Sequence, residues 1–196
     1  MNKIGLFGGT FDPIHNGHLI VTEAVREAFL LDKIIFIPAR QQPFKTNTPM
    51  QLPEHRLEMV KLAIASNPYF EVSDIEIRQK GISYTINTIR EFRKTFPENE
   101  YELFFLLGSD NANSFHLWKQ PGELLKFCKF IAFGRPGFQL AKNSSNLTSA
   151  FHLFSAPLVE ISATKIRNRV RDGKSIHYLV PAAVEDYIQK HGLYLK

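Results

Sequence analysis

The sequence contains little of what disulfide-bonded, membrane-spanning or zinc-held proteins need. Its 196 residues include a single cysteine, Cys128, which excludes a disulfide framework and a cysteine-rich zinc site. No run of about 18 apolar residues is present, so we expect no transmembrane helix. The N-terminal segment also lacks the long apolar region of a signal peptide. We therefore expect a cytoplasmic protein in which Cys128 is a buried, reduced thiol.

Charge of one sign is in only modest excess. There are 24 Lys and Arg against 19 Asp and Glu, which gives a formal net charge of +5 and a pI near 9.3. This balance suits anionic small molecules as well as nucleic acid, because net charge bears on steering and solubility rather than on fold. No series of aromatic residues recurs as a stacking platform, so we expect no nucleic-acid partner. A non-enzymatic nucleotide- or RNA-binding module is the alternative from another class.

Apolar runs alternate along the chain with stretches of helical period. The run 103–107 is apolar throughout, as a parallel strand buried on both faces must be. This alternation predicts an α/β fold, a doubly wound, mainly parallel Rossmann-like sheet with helices on both faces. We expect one domain over residues 1–196, with a C-terminal helical portion from about residue 162. The predicted strands are 3–7, 33–38, 70–74, 101–107, 130–133 and 151–154, and the predicted helices are 17–30, 53–66, 85–96, 122–127, 163–172 and 181–191.

A glycine turn followed by two histidines is the most informative segment. Gly8-Gly9-Thr10 follows the first predicted strand, where glycine lets the backbone approach a phosphate and the next helix offers unpaired N–H groups. His15 and His18 are three positions apart and share a face at helical spacing. A zinc site at these histidines is disfavoured, because Asp12 is the only nearby candidate for a third ligand and Pro13 stiffens the chain between Asp12 and His15. The pattern indicates a site for nucleotide phosphates.

Two segments carry a resemblance to a known superfamily. The first, Gly-Gly-Thr-Phe-Asp-Pro-Ile-His-Asn-Gly-His over residues 8–18, resembles the signature of the nucleotidylyltransferases with a His-x-Gly-His motif. The second, Ile-Ser-Ala-Thr-Lys-Ile-Arg over residues 161–167, is similar to that superfamily's Ile-Ser-Ser-Thr-x-Ile-Arg. Ser162 is a suitable N-cap for the predicted helix, and Arg167 adds a planar cation for a bound anion. The two segments therefore predict two phosphate-binding elements.

Three further segments are similar to the branch of that superfamily that adenylylates nicotinate mononucleotide. Residues 83–88 read Ser-Tyr-Thr-Ile-Asn-Thr, Gly108-Ser109-Asp110 ends a predicted strand ahead of Trp118, and residues 178–194 match the C-terminal pattern. The resemblance covers nearly the whole chain, from residue 3 to residue 194. It implies adenylyl transfer from ATP to nicotinate mononucleotide, which yields deamido-NAD and pyrophosphate in NAD biosynthesis.

The resemblance also implies roles for single residues. The catalytic groups would be His15 and His18. Mg²⁺ would enter with ATP and without dedicated protein ligands. At the mononucleotide end an indole can stack on the pyridine ring, and a threonine hydroxyl can donate to its carboxylate. The residues expected to bind ATP and its phosphates are Gly8, Gly9, Thr10, Lys45, Gly108, Asp110, Ser162, Thr164 and Arg167, and those expected to bind the mononucleotide are Tyr84, Thr85, Trp118 and Arg135.

A few positions depart from the pattern of that branch. Asn87 replaces the usual Asp, and Leu117-Trp118-Lys119 stands where Lys-Trp-Tyr is usual, both at the mononucleotide end. Ala163 replaces the second Ser of the phosphate segment. The preference between the acid and the amide mononucleotide therefore stays open. Nicotinamide mononucleotide and phosphopantetheine are the alternative acceptors, and one sequence does not indicate the oligomeric state.

Overall fold

The structure is a computed structural model that describes residues 1–43, 50–79, 81–134, 151–157 and 159–195. Within these ranges the strands are Asn2–Gly9 (β1), Lys33–Pro38 (β2), Phe70–Val72 (β3), Tyr101–Gly108 (β4), Lys129–Phe133 (β5) and Phe151–Phe154 (β6). The helices are Asn16–Phe29 (α1), Pro53–Ile64 (α2), Ile75–Arg78 (α3), Thr85–Thr95 (α4), Ser109–Asn113 (α5), Pro121–Phe127 (α6), Ala163–Arg171 (α7) and Ala182–Lys190 (α8), and a 3-10 turn spans Phe115–Leu117. None of these helices has both the length and the apolar character needed to cross a membrane.

The described strands form one sheet in the order β3-β2-β1-β4-β5-β6, and every neighbouring pair is parallel. Leu6 of β1 lies opposite Ile35 of β2 on one side and Phe105 of β4 on the other. The chain order therefore reverses between β1 and β4, which creates a crevice at the carboxyl ends of these two strands. The predicted doubly wound parallel sheet is confirmed.

Helices cover both faces of this sheet, and β4 shows why its sequence is apolar throughout. Alternate residues of a strand point to opposite faces. Phe104 and Leu106 join the core beneath α1, α2, α7 and α8, whereas Phe105 and Leu107 join the core beneath α4 and α6. Because both faces are buried, a polar residue at any of these positions would lose its hydration without gaining a partner.

The C-terminal segment returns to the start of α1. The backbone N–H of Asn16 donates to the Leu179 carbonyl over 2.9 Å, and its side-chain amide donates to the Tyr178 carbonyl over 2.7 Å. Val184 and Ile188 of α8 lie in the same core as β1 and β2. Residues near the C-terminus thus brace the part of the chain that follows β1.

Sequence patterns missed the shortest elements. Helices α3 and α5 and the 3-10 turn are too short to show a helical period in their sequences. The third strand ends at Val72 rather than at residue 74, because the chain turns there into α3. The final helix begins at Ala182, with Pro181 as its N-cap residue.

Candidate active site

A cavity of about 970 Å³ lies at the crevice between the carboxyl ends of β1 and β4. This is where open parallel sheets bind their ligands. The cavity is also lined by the first turns of α4 and α7, so it brings together segments from both ends of the chain. Its lining includes every described residue to which the sequence assigned a role: Gly8, Gly9, Thr10, His15, His18, Tyr84, Thr85, Gly108, Asp110, Trp118, Ser162, Thr164 and Arg167.

Residues 8–12, here called the phosphate turn, leave β1 in a strained conformation. Phe11 is buried and has a φ of 50°, in the left-handed region that costs a residue with a side chain about 1–2 kcal/mol. Its ring folds back over Gly9, where a Cβ would lie 2.8 Å from the Phe11 ring. Glycine at position 9 is therefore required by the close approach of this ring.

The two histidines are stacked at the start of α1. Their ring centroids are 3.6 Å apart and their planes differ by 19°. His15 is the N-cap residue and is 7% exposed, and its backbone N–H donates to Nδ1 of His18 over 3.2 Å. A Cβ at Gly17 would lie 3.1 Å from Nδ1 of His15, so glycine between the histidines leaves room for the His15 ring. The pair presents two imidazoles to the cavity from one turn of chain.

Three helices begin at the cavity wall. Residues of the first turns of α1, α4 and α7 line it, namely Gly17 and His18, Thr85, and Ala163 with Thr164. The N-terminus of each helix carries a partial positive charge and unpaired backbone N–H groups. The cavity is therefore built to receive a ligand with several anionic groups.

The second phosphate segment has the local structure that its sequence predicts. Ser162 is the N-cap of α7, and its hydroxyl accepts from the backbone N–H of Lys165 over 3.2 Å. Arg167 donates from Nη1 to the Asp12 carbonyl over 2.8 Å and from Nη2 to the Thr164 hydroxyl over 3.2 Å. Lys165 is exposed at the rim and pairs with Glu160. Arg167 thus joins the phosphate turn to α7 while it lines the cavity.

Trp118 and Tyr84 are aromatic residues of the cavity lining. Trp118 is half-buried and packs at 89° against Phe105, with ring centroids 6.0 Å apart. Tyr84 is the N-cap residue of α4, and Thr85 lies in the first turn of this helix. Lys119 places Nζ 4.4 Å from the Tyr84 ring centroid. Lys119, one of the residues that depart from the family pattern, therefore lies at the start of α4.

The acidic residues Asp110 and Glu76 also line the cavity. Asp110 lies in the first turn of α5, directly after Gly108 closes β4. Glu76 of α3 is 8% exposed and accepts from the Thr88 hydroxyl over 2.5 Å. Burial raises the pKa of Glu76, and the hydrogen bonds from Thr88 and Ser83 oppose that rise. Glu76 had no role in the sequence-based prediction, because α3 was not recognised as an element.

Lys45 and Arg135, both expected near the site, lie outside the described residues. The described residues that flank Lys45 do reach the cavity, since Gln42, Pro43 and Met50 line it. Among the residues that the structure describes, no three His, Cys, Asp or Glu side chains come together as a metal ion requires.

Sequence reasoning missed two buried polar residues behind the phosphate turn. Arg56 of α2 is fully buried and donates to the Thr10 carbonyl over 2.6 Å. Tyr194 donates from its hydroxyl to the Asp12 carboxylate over 2.6 Å. Arg56 looks like any polar residue of an amphipathic helix, and Tyr194 is 182 positions from its partner. No local pattern in the sequence distinguishes Arg56, and the match of residues 178–194 to the C-terminal pattern assigned Tyr194 no role.

Comparison with known proteins defines the class to which this site belongs. The model of the cytidylyltransferase-like family matches residues 6–169, from β1 into α7. The chain therefore belongs to the cytidylyltransferase-like family, whose matched region contains both phosphate segments.

Curated relatives place the chain more narrowly. A protein of Moorella thermoacetica is 45% identical over 98% of this chain and 91% of its own length, and one of Thermus thermophilus is 43% identical over 98% and 99%. A third, from Thermoanaerobacter, is 45% identical over 99% and 95%. All three are named "Probable nicotinate-nucleotide adenylyltransferase". At this identity and coverage, the chain is one of the nicotinate-nucleotide adenylyltransferases.

Solved structures share the fold. The nicotinic acid mononucleotide adenylyltransferase of Plasmodium falciparum, solved with NaAD, superposes with a TM-score of 0.83 over 99% of this chain and 98% of that chain. The same protein solved with APC superposes with a TM-score of 0.81. Sequence identity is 21% in both cases, so this likeness concerns the Rossmann-like fold.

Proposed function

We propose that this protein transfers the adenylyl group of ATP to nicotinate mononucleotide, and that residues 1–196 act as one catalytic domain in the cytoplasm. The observation that carries the proposal is the stacked pair His15 and His18, which lies in one cavity with the α7 and α4 N-termini. Anion-binding groups and aromatic side chains both line that cavity. This arrangement fits a triphosphate and a pyridine mononucleotide side by side.

In the proposed reaction, a phosphate oxygen of the mononucleotide attacks the α-phosphorus of ATP. An O–P bond forms to this oxygen, and the bond from the α-phosphorus to the bridging oxygen of pyrophosphate breaks. The nucleophile is already anionic, so the reaction needs no general base. The task of the protein is to position both substrates and to stabilise charge in the transition state.

His15 and His18 would contact the transferring phosphate and the bridging oxygen. Nδ1 of His18 accepts from the His15 backbone, so a neutral His18 ring carries its proton on Nε2 and can donate from there. The Thr10 hydroxyl is buried and has no hydrogen-bond partner among the described residues. Because unsatisfied buried hydroxyls are rare, this hydroxyl is suited to an oxygen supplied by the substrate.

The departing pyrophosphate would be neutralised at the other phosphate segment. Ser162, Thr164 and Arg167 line that part of the cavity, and the α7 N-terminus adds its partial charge. Lys45 is the further cation that we propose for this role. Mg²⁺ keeps several waters and binds through substrate phosphates, so we treat MgATP as the substrate. Gly108 and Asp110 are proposed to contact the adenosine.

The mononucleotide would lie between Trp118 and the start of α4. The indole of Trp118 offers a face for the pyridine ring, and Thr85 offers a hydroxyl beside the helix N-terminus. Tyr84 and Arg135 are the other proposed contacts. Thr85 and Trp118 distinguish a pyridine nucleotide from acceptors that lack an aromatic ring.

A pyrophosphate-release assay tests the proposal. Purified protein is incubated with MgATP and, separately, with nicotinate mononucleotide, nicotinamide mononucleotide or phosphopantetheine, and the nucleotide product is identified by chromatography. We expect release with nicotinate mononucleotide and deamido-NAD as the product. His18→Ala should abolish most of this release, whereas His152→Ala, an exposed histidine outside the cavity, should not.

The outcomes separate the alternatives. Faster release with another acceptor would assign that acceptor as the substrate. No release with any acceptor, together with RNA binding that weakens steeply with salt, would favour the binding module instead.

A further inference from the structure

The phosphate turn is held from behind by side chains that do not line the cavity. Arg56 comes from α2 and Tyr194 from the segment after α8, and neither belongs to the cavity wall. Both are buried, at 0% and 7% exposure. Burying a cation in this position is costly unless its hydrogen bonds are satisfied.

The guanidinium of Arg56 satisfies three carbonyl groups from three parts of the chain. Nη1 donates to Thr10 over 2.6 Å, Nη2 to Arg40 over 3.0 Å, and Nε to Gln51 over 3.1 Å. The planar fork of arginine matches this divergent arrangement, whereas a lysine ammonium cannot reach three such acceptors together. Arg56 thus ties the phosphate turn to the chain after β2 and to the start of α2.

Asp12 and Tyr194 complete the arrangement. The Tyr194 hydroxyl donates to one carboxylate oxygen of Asp12 over 2.6 Å. Burial lowers the pKa of Arg56, and the negative charge of Asp12 opposes this shift. Burial and Asp12 both raise the pKa of Tyr194, so its hydroxyl stays protonated and can donate. The two buried groups therefore hold both ends of the strained residue Phe11.

The support from Arg56 and Tyr194 matters because the backbone of Phe11 is strained. Phe11 has a φ of 50°, and the carbonyls on both sides of it are bound by arginines, Thr10 by Arg56 and Asp12 by Arg167. Strained residues persist only where the surrounding structure holds them, and they concentrate at functional sites. The turn held in this way contains Thr10, which lines the cavity and whose buried hydroxyl has no hydrogen-bond partner among the described residues.

We propose that Arg56 and Tyr194 are positioning residues for adenylyl transfer, which hold the phosphate turn so that Thr10 meets the transferring phosphate. The inference rests on the proposed function. A displacement of about 1 Å in a positioned group can reduce the rate by roughly 100-fold. Loss of the support should therefore lower kcat more than it raises KM.

The test compares the buried Arg56 with the half-buried Arg93, since each donates to three backbone carbonyls. Arg93 donates to the carbonyls of Phe127, Phe96 and Tyr101. It does not line the cavity, because Tyr101 lies at the amino-terminal end of β4 and the cavity lies at the carboxyl end of that strand. Arg56→Lys and Arg93→Lys are assayed at a temperature where circular dichroism shows both to be folded. We expect kcat to fall about 10-fold or more for Arg56→Lys and to change less than about 2-fold for Arg93→Lys. Equal kcat values in the two variants would overturn the proposal.

A double-mutant cycle identifies the route of the effect. If Arg56 acts through Thr10, then Thr10→Val should cost less in the Arg56→Lys background than in the wild type. Additive effects would contradict this. If Arg56→Lys does not fold, the cycle is repeated with Tyr194→Phe, which removes one hydroxyl. Thr10→Val should then cost less in the Tyr194→Phe background than in the wild type, and additive effects would contradict the proposal. An inactive wild type would count against the proposed function, whereas an active wild type with indistinguishable variants counts only against this inference.

Discussion

The backbone N–H of His15 donates to Nδ1 of His18 over 3.2 Å, and the two rings stack 3.6 Å apart. The bond uses the N–H of the N-cap residue of α1, which lacks a partner within the helix, to hold the His18 side chain. It also selects the tautomer, because a neutral imidazole that accepts at Nδ1 carries its proton on Nε2. One hydrogen bond therefore both caps the start of α1 and leaves the Nε2–H of His18 as the donor in the proposed reaction.

Substitutions of His18 should distinguish the roles of its two ring nitrogens, Nδ1 and Nε2. His18→Ala is expected to lower kcat at least about 100-fold, as for the loss of a transition-state donor, with the fold retained. A glutamine amide reaches the position of Nε2 and an asparagine amide that of Nδ1, so His18→Gln should retain more activity than His18→Asn. Steady-state kinetics and circular dichroism measure these effects. Near-normal turnover of His18→Ala would contradict the proposed role.

Trp118 should affect one substrate more than the other. Its ring packs against Phe105 and Phe115 and lines the cavity. We expect Trp118→Ala to raise KM for nicotinate mononucleotide roughly 10-fold or more and to leave KM for ATP within about 2-fold, because a stacked base contributes about 1–3 kcal/mol. Trp118→Phe should recover part of the loss. Equal effects on both KM values would indicate that Trp118 is a packing residue only.

Lys119 should favour the acid over the amide. Its ammonium lies over the Tyr84 ring at the start of α4, beside Thr85. An exposed cation gains only modest energy from a carboxylate, so we expect Lys119→Met to raise KM for nicotinate mononucleotide about 3-fold. KM for nicotinamide mononucleotide should stay the same. Lys126→Met, an exposed lysine outside the cavity, is the matched control. An equal change for both mononucleotides would exclude Lys119 from this discrimination.

Glu76 should make stability depend on pH. Because burial raises its pKa in the folded state, the folded protein binds this proton more tightly than the unfolded chain does. Its contribution to stability is complete below the unfolded pKa of about 4.3 and is lost as the pH rises through the folded value. Glu76→Gln keeps an acceptor for Thr88 and removes the titration. The Tm of Glu76→Gln relative to wild type should therefore increase from about pH 4 to about pH 8, and a constant difference would refute the prediction.

Long elements and local motifs were predictable from the sequence. The strands β2 and β6 have the same bounds in the structure as in the prediction from the sequence. Ser162 caps α7 as its position before the helix predicts. The stack of His15 on His18 follows from their spacing around the first turn of α1. These features depend on residues close together in the chain.

The sequence by itself determined the alternation of strands and helices, the phosphate turn, the paired histidines and the family resemblance, because each is read from residues that are neighbours in the chain. Only the tertiary structure decided that Arg56 and Tyr194 lie behind that turn, and that Lys119 lies over Tyr84. A buried arginine and a surface arginine have the same local sequence signal. What distinguishes them is which distant carbonyls the fold brings to the guanidinium, and the hydrogen bonds that stabilise the strained Phe11 therefore exist only in the folded chain.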